Sequence, residues 1–160
     1  MPEKRKRLED LFREDEARKR SEQEAADDRE VQDAKRRASC AKVLREIVIP
    51  VVTEYVARSQ EAGHKAGLKE TIEDHTYPSV ELEFRPVAGR SGSMIGLESK
   101  LSFRCDRSGG LLTWPQIYGP SGVSKRYPNR ESPARALDQV TREWVEEQLF
   151  GFMEAALKET

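Results

Sequence analysis

Between Glu3 and Lys42 this chain contains neither glycine nor proline. Their absence removes the two residue types that most strongly break a helix, and it excludes a turn-rich opening. Cysteine is scarce as well: Cys40 and Cys105 are the only two, 65 positions apart. Two cysteines are too few for a disulfide scaffold, and their contexts read as helix and strand. The expectation is therefore reduced thiols in a cytoplasmic protein, with Cys105 as a core thiol. No apolar stretch approaches the roughly 18 to 20 residues that span a bilayer. The opening "MPEKRKRLEDLF" also lacks the apolar centre of a secretory signal. These absences point to a soluble, unsecreted chain with no membrane partner.

An excess of charge of either sign is missing too, since 28 Lys and Arg stand against 29 Asp and Glu. A global basic field that would recruit nucleic acid is thereby excluded, although local patches are not. Hydrophobic residues make up 36% of the chain and charged residues another 36%. A typical domain has nearly half and about a quarter. So little apolar material cannot line a core along the whole length, and it must be concentrated.

Residues 3–42 are mostly Glu, Arg, Lys, Ala, Gln and Asp, with acids four residues before bases at Glu3 and Arg7, Glu9 and Arg13, Glu14 and Arg18, Asp15 and Lys19, Glu16 and Arg20, and Asp33 and Arg37. Such pairs favour helix by a few tenths of a kcal/mol each. Low hydrophobicity is also the signature of disorder, so helix and disorder are the two readings of this segment. A coiled-coil seam starts at Leu8, Leu11 and Phe12, dissolves into alanines, and returns at Val31, Ala34, Ala38, Ala41 and Leu44. As a continuous helix the segment would reach about 60 to 70 Å. The "KRKR" run at residues 4–7 is balanced at once by Glu9 and Asp10.

Beyond Leu44 the apolar positions Ile47, Val48, Val51, Val52, Tyr55 and Val56 form a broad face at helical spacing, suited to burial against a sheet. Pro50 interrupts it and predicts a kink or a new helix start. After Gly63 the period changes from 3.6 to 2. "PSVELEFRPVAG" and "SKLSFRCD" alternate apolar and polar residues as half-buried strands, and "DRSGG" before "LLTWPQIYG" predicts a hairpin over residues 99–118. Pro115 places that strand at an edge or bulge. "HKAGLKETIE" is a further strand candidate, and residues 123–127 a short one. The last helix is expected to start at Thr141 as N-cap, with Val140 and Val145 spaced as a staple and Trp144, Val145, Leu149, Phe152, Met153 and Ala156 as its buried face.

Little in the chain carries chemistry. Cys40, His64, His75 and Cys105 show no metal-ligand spacing, no GxSxG elbow is present, and "VAGRSGSMIG" lacks the lysine of a phosphate loop and reads as a hairpin connection. No catalytic residue, cofactor or metal is expected. Charge distribution is more informative. From Arg85 to Arg130 there are eight bases against two acids, Glu98 and Asp106, with Trp114, Tyr118 and Tyr127 interleaved. Arg104, Arg107, Lys125 and Arg126 are the candidates for contact with a nucleic-acid backbone. Solvated strand edges carry lysine and arginine for protection alone, which is the competing account.

The order helix, antiparallel strands, helix resembles that of double-stranded RNA-binding domains, and "GVSKRYPN" stands where their basic loop precedes the last helix. The resemblance covers element order and one Ser-Lys pair, Ser124 and Lys125. The final helix departs from the pattern, starting Thr141-Arg142-Glu143 where a lysine-rich turn belongs, and the family is not assigned.

The expected fold is α+β: a long charged N-terminal helix with the elements of a weak coiled coil, then a three- to five-stranded antiparallel sheet packed by the end of that helix and by a C-terminal helix. Residues 1–42 form the charged extension and 43–160 the head. The expected function is that of a non-enzymatic interaction or adaptor protein. Its helix would serve self-association or attachment to a protein partner through Leu8, Leu11 and Phe12. The alternative is a nucleic-acid-binding protein using the basic surface between residues 85 and 130.

Overall fold

The structure, a computed structural model, describes residues 2–73, 77–87, 98–119, 122–123 and 129–158. The fold is α+β. Helix α1 spans Pro2–Val43, a π-helical turn spans Leu44–Val48, and helix α2 spans Ile49–Glu61. Strands follow at β1 (Lys65–Thr71), β2 (Ser79–Arg85), β3 (Ser99–Cys105) and β4 (Leu111–Gln116), with the short β5 (Tyr118–Gly119) and β6 (Gly122–Val123), and helix α3 spans Arg142–Lys158. The first four strands form one antiparallel sheet in sequence order, while β5 and β6 pair with each other.

The chain divides into two compact units, Met1–Lys35 and Arg36–Thr160. In the first, residues 2–35 are helical and almost wholly exposed. Its charge pairs are local: Asp15 takes both Lys19, at 3.1 Å, and Arg18, at 2.6 Å. Arg18 thus reaches the acid three residues back rather than Glu14. The Lys19 ammonium, with Arg18 beside it, holds the Asp15 carboxyl below the ordinary carboxylate range.

In the second unit the chain enters its core at Cys40, Ala41 and Leu44. Pro50 is accommodated by the π turn that precedes it. The Ile49 N–H reaches back five residues to the Leu44 carbonyl, and α2 then begins with proline in its first turn. The wider turn moves carbonyls away from the proline ring, which an unbroken α-helix would crowd. Val48, Val51 and Val52 are buried behind it.

Period-2 alternation directs Val80, Leu82 and Phe84 of β2, and Leu101, Phe103 and Cys105 of β3, into one core with α2 and α3. Helix α3 is capped as its sequence predicts: the Trp144 N–H donates to Thr141 Oγ1 at 3.2 Å, and Val140 and Val145 are both buried. Trp144 itself is only half-buried, edge-on to Phe103 and beneath the Arg135 guanidinium.

The cysteines require a correction. Cys40 and Cys105 are not reduced thiols; they form a disulfide, with Cα atoms 6.0 Å apart. Each side chain lies in the same core, one from the last turns of α1 and one from the end of β3, and that convergence has no local signature. Cys105 is a core residue, but not a thiol.

Strand β4 is an edge of the sheet, as Pro115 predicts. The outward backbone groups of its Leu111 and Thr113, and the N–H of Ile117 just past its end, are satisfied by the returning segment 129–135. Leu111 and Arg135 exchange both backbone bonds at 2.8 Å, Thr113 bonds Ser132, and Asn129 Oδ1 accepts from the Ile117 N–H at 2.9 Å. Pro115 occupies the alternate position in this row, where its missing N–H costs the β3–β4 ladder nothing. Gly110 makes the close approach feasible, since a Cβ there would lie 2.7 Å from the Arg135 carbonyl oxygen. The expected hairpin connection between β2 and β3 lies mostly outside the described residues, as do residues 124–127 of the short strand expected at 123–127.

Candidate functional site

The sheet face turned away from the helices carries the charged residues of the alternating strands. Register sets Lys69, Glu81, Ser102 and Trp114 in one row across it, and Gly67, Glu83, Lys100 and Gln116 in the next. Lys100 Nζ lies 3.8 Å from Glu81, whose other carboxylate oxygen accepts from Ser102 Oγ at 3.1 Å. Arg104 lies 5.5 Å from the Trp114 ring centre and pairs with Glu131, which the segment along β4 delivers to it. Partly exposed pairs of this kind contribute little to stability, but they neutralise the bases they hold.

Of the four candidate nucleic-acid contacts, Arg104 stands on this face, Arg107 stands in the β3–β4 turn, and Lys125 and Arg126 lie outside the described residues. Arg107 has Asp106 beside it. The Ser108 hydroxyl donates to the Asp106 carboxylate at 2.7 Å and, with nearby backbone N–H groups, holds that carboxyl below its usual range. Counting charges between residues 85 and 130 misses Glu81 and Glu131, because one arrives by strand register and the other by a chain return just past the window.

The second candidate surface is on α1. Leu8, Leu11 and Phe12 are 49%, 59% and 58% exposed, and their spacing puts them on one side of the helix. Val31, where the apolar pattern returns, is 52% exposed. Large apolar side chains this bare on a highly charged helix are the feature of residues 2–35 that solvation does not explain.

A dent of about 330 Å³ opens at Gly67, lined by Gln60, His64, Lys65, Ala66, Glu83 and Glu98. His64 Nδ1 accepts the Val87 N–H at 3.1 Å, which fixes the imidazole edge-on to Phe84. Among the described residues no three His, Cys, Asp or Glu side chains converge as a metal site requires. The sulfurs of Cys40 and Cys105 are bonded to each other, which withdraws both as nucleophiles. No helix of the described residues is long and apolar enough to cross a membrane. Comparison with protein-family models, curated proteins and solved structures finds no match to this chain.

Proposed function

We propose that this chain is a non-enzymatic interaction protein whose charged helix serves self-association or attachment to a protein partner, with the α+β head as the folded anchor. The observation that carries this reading is the bare apolar cluster of Leu8, Leu11 and Phe12 on a helix that is otherwise solvated. Replacing all three by serine is expected to weaken association of the full chain, followed by light scattering over a concentration series, by at least about tenfold. The melting temperature of the head should not move. Association unchanged by the triple replacement would remove this surface from the reading.

Nucleic-acid binding is the second reading, favoured by the Arg104 guanidinium set beside Trp114 on the sheet face. Against it, Glu81 and Glu131 already hold Lys100 and Arg104. If Arg104, Arg107, Lys125 and Arg126 bind a nucleic-acid backbone, affinity falls steeply with salt, and neutralising each contacting base lowers the salt slope by about one unit. The adaptor reading expects neither effect in a titration of the full chain. A cytoplasmic setting rests on free thiols and loses that support once Cys40 and Cys105 are joined; a buried disulfide favours an oxidising compartment.

A further inference from the structure

The two edges of the four-stranded sheet differ. On β4 outward N–H and C=O groups are covered by residues 129–135, whereas on β1, among the described residues, only the Ala66 carbonyl is. Residues Lys65, Gly67, Lys69 and Thr71 turn their backbone bonds toward β2, so Ala66, Leu68 and Glu70 turn theirs outward. The Ala66 carbonyl accepts from the Gln60 amide at 3.0 Å. Among the described residues nothing bonds the outward groups of Leu68 or Glu70. A bare strand edge is a template for another strand, and lysines placed on it ordinarily repel one.

We propose that β1 pairs antiparallel with β1 of a second copy of this chain, Leu68 opposite Leu68, with Lys69 of each copy entering the dent at Gly67 of the other to meet Glu83. Charge selects both the occupant and the register. With the dyad at Leu68, Lys65 faces Thr71, Ala66 faces Glu70 and Gly67 faces Lys69. With the dyad at Gly67, Lys65 would face Lys69; at Lys69 or Glu70, like charges would face each other directly. Each of those alternatives is destabilising.

In the selected register, Lys69 of one copy stands beside Gly67 of the other, and Glu83 is the next residue across on β2. A Cβ added at Gly67 would meet nothing within 4 Å, so the space above it is open. The two flanking strands are about 10 Å apart, a gap that lysine and glutamate side chains together span. Glu83 makes no ion pair among the described residues, and Glu98 lines the same dent. A second space of about 720 Å³, lined by Arg45 and residues 69–73, leaves the other half of the edge clear. A dyad normal to the sheet keeps both sets of helices on one face and joins the two sheets into one.

Sedimentation velocity and amide hydrogen exchange on the full chain test the proposal. The expected result is a concentration-dependent dimer in which the Leu68 and Glu70 amides become protected. K69E and E83K should each weaken it by about tenfold, and the two together should restore it. These surface changes are checked for folding by their melting curves. The dimer should survive replacement of Leu8, Leu11 and Phe12 by serine, which removes only the further association through the helix. A monomer at all concentrations, a dimer with unprotected Leu68 and Glu70 amides, no rescue in the double variant, or protection that needs a different protein would each overturn the proposal.

Discussion

Replacing Cys40 and Cys105 together by alanine is expected to lower the unfolding free energy of the head by about 4 kcal/mol, the loop-closure value for a cross-link enclosing some 65 residues. Such a loss is a large part of what a domain of this size possesses. The cross-link ties the last turns of α1 to β3, and the chain it encloses contains the π turn, α2, β1 and β2. Unfolding followed in denaturant, with and without a reductant, measures the effect. The oxidised wild-type chain should show no free thiol when denatured. Two titratable thiols, or a double variant as stable as the wild type, would mean that the bond does not form in solution.

Phe152→Ala is expected to cost about 3 to 5 kcal/mol, the range for removing a large side chain from a packed core. Phe152 is 4% exposed and stands edge-on to Phe84, their ring centres 6.5 Å apart. It joins α3 to the middle of the sheet, so its loss leaves a cavity that neither element can close without moving. Trp144→Ala should cost less, about 2 kcal/mol, because that ring is half-buried and part of its contact is with the half-buried Arg135 side chain. Thermal or denaturant midpoints of the two variants give the comparison directly. A Phe152→Ala protein melting with the wild type would show that α3 is not anchored through this residue.

The elements of the fold were legible wherever a residue's role depends on its neighbours along the chain. Val80, Leu82 and Phe84 alternate with Glu81, Glu83 and Arg85, and that alternation alone assigns one face to the core. Thr141, Val140 and Val145 announce the start of α3 because capping is a contact over three to five residues. Pro50 announces a disturbance for the same reason, although the π turn that resolves it lies upstream of the proline and depends on Leu44 and Val48 being held in the core.

The candidate sites were less legible. Arg104 and Arg107 read as free bases because the acids that answer the sheet's basic residues, Glu131 and Glu81, sit outside the stretch in which the bases cluster. The dent at Gly67 carries no motif. It exists because a glycine on β1 stands beside Glu83 on β2, a consequence of register that no single segment encodes.

By itself the sequence determined the change of period at Gly63 and the face that each strand and α3 buries, and it offered a long charged helix beside disorder for residues 3–42, since all of these follow from spacing within one element. Only the tertiary structure decided the Cys40–Cys105 bond, the partners of Arg104 and Lys100, the covering of β4 by residues 129–135 and, among the described residues, the unbonded outward groups of Leu68 and Glu70 on β1. Each of these depends on where distant segments meet. The entropy of closing a loop rises only as the logarithm of its length, so a contact across 65 residues costs little more than one across 30 and leaves no period for the chain to display.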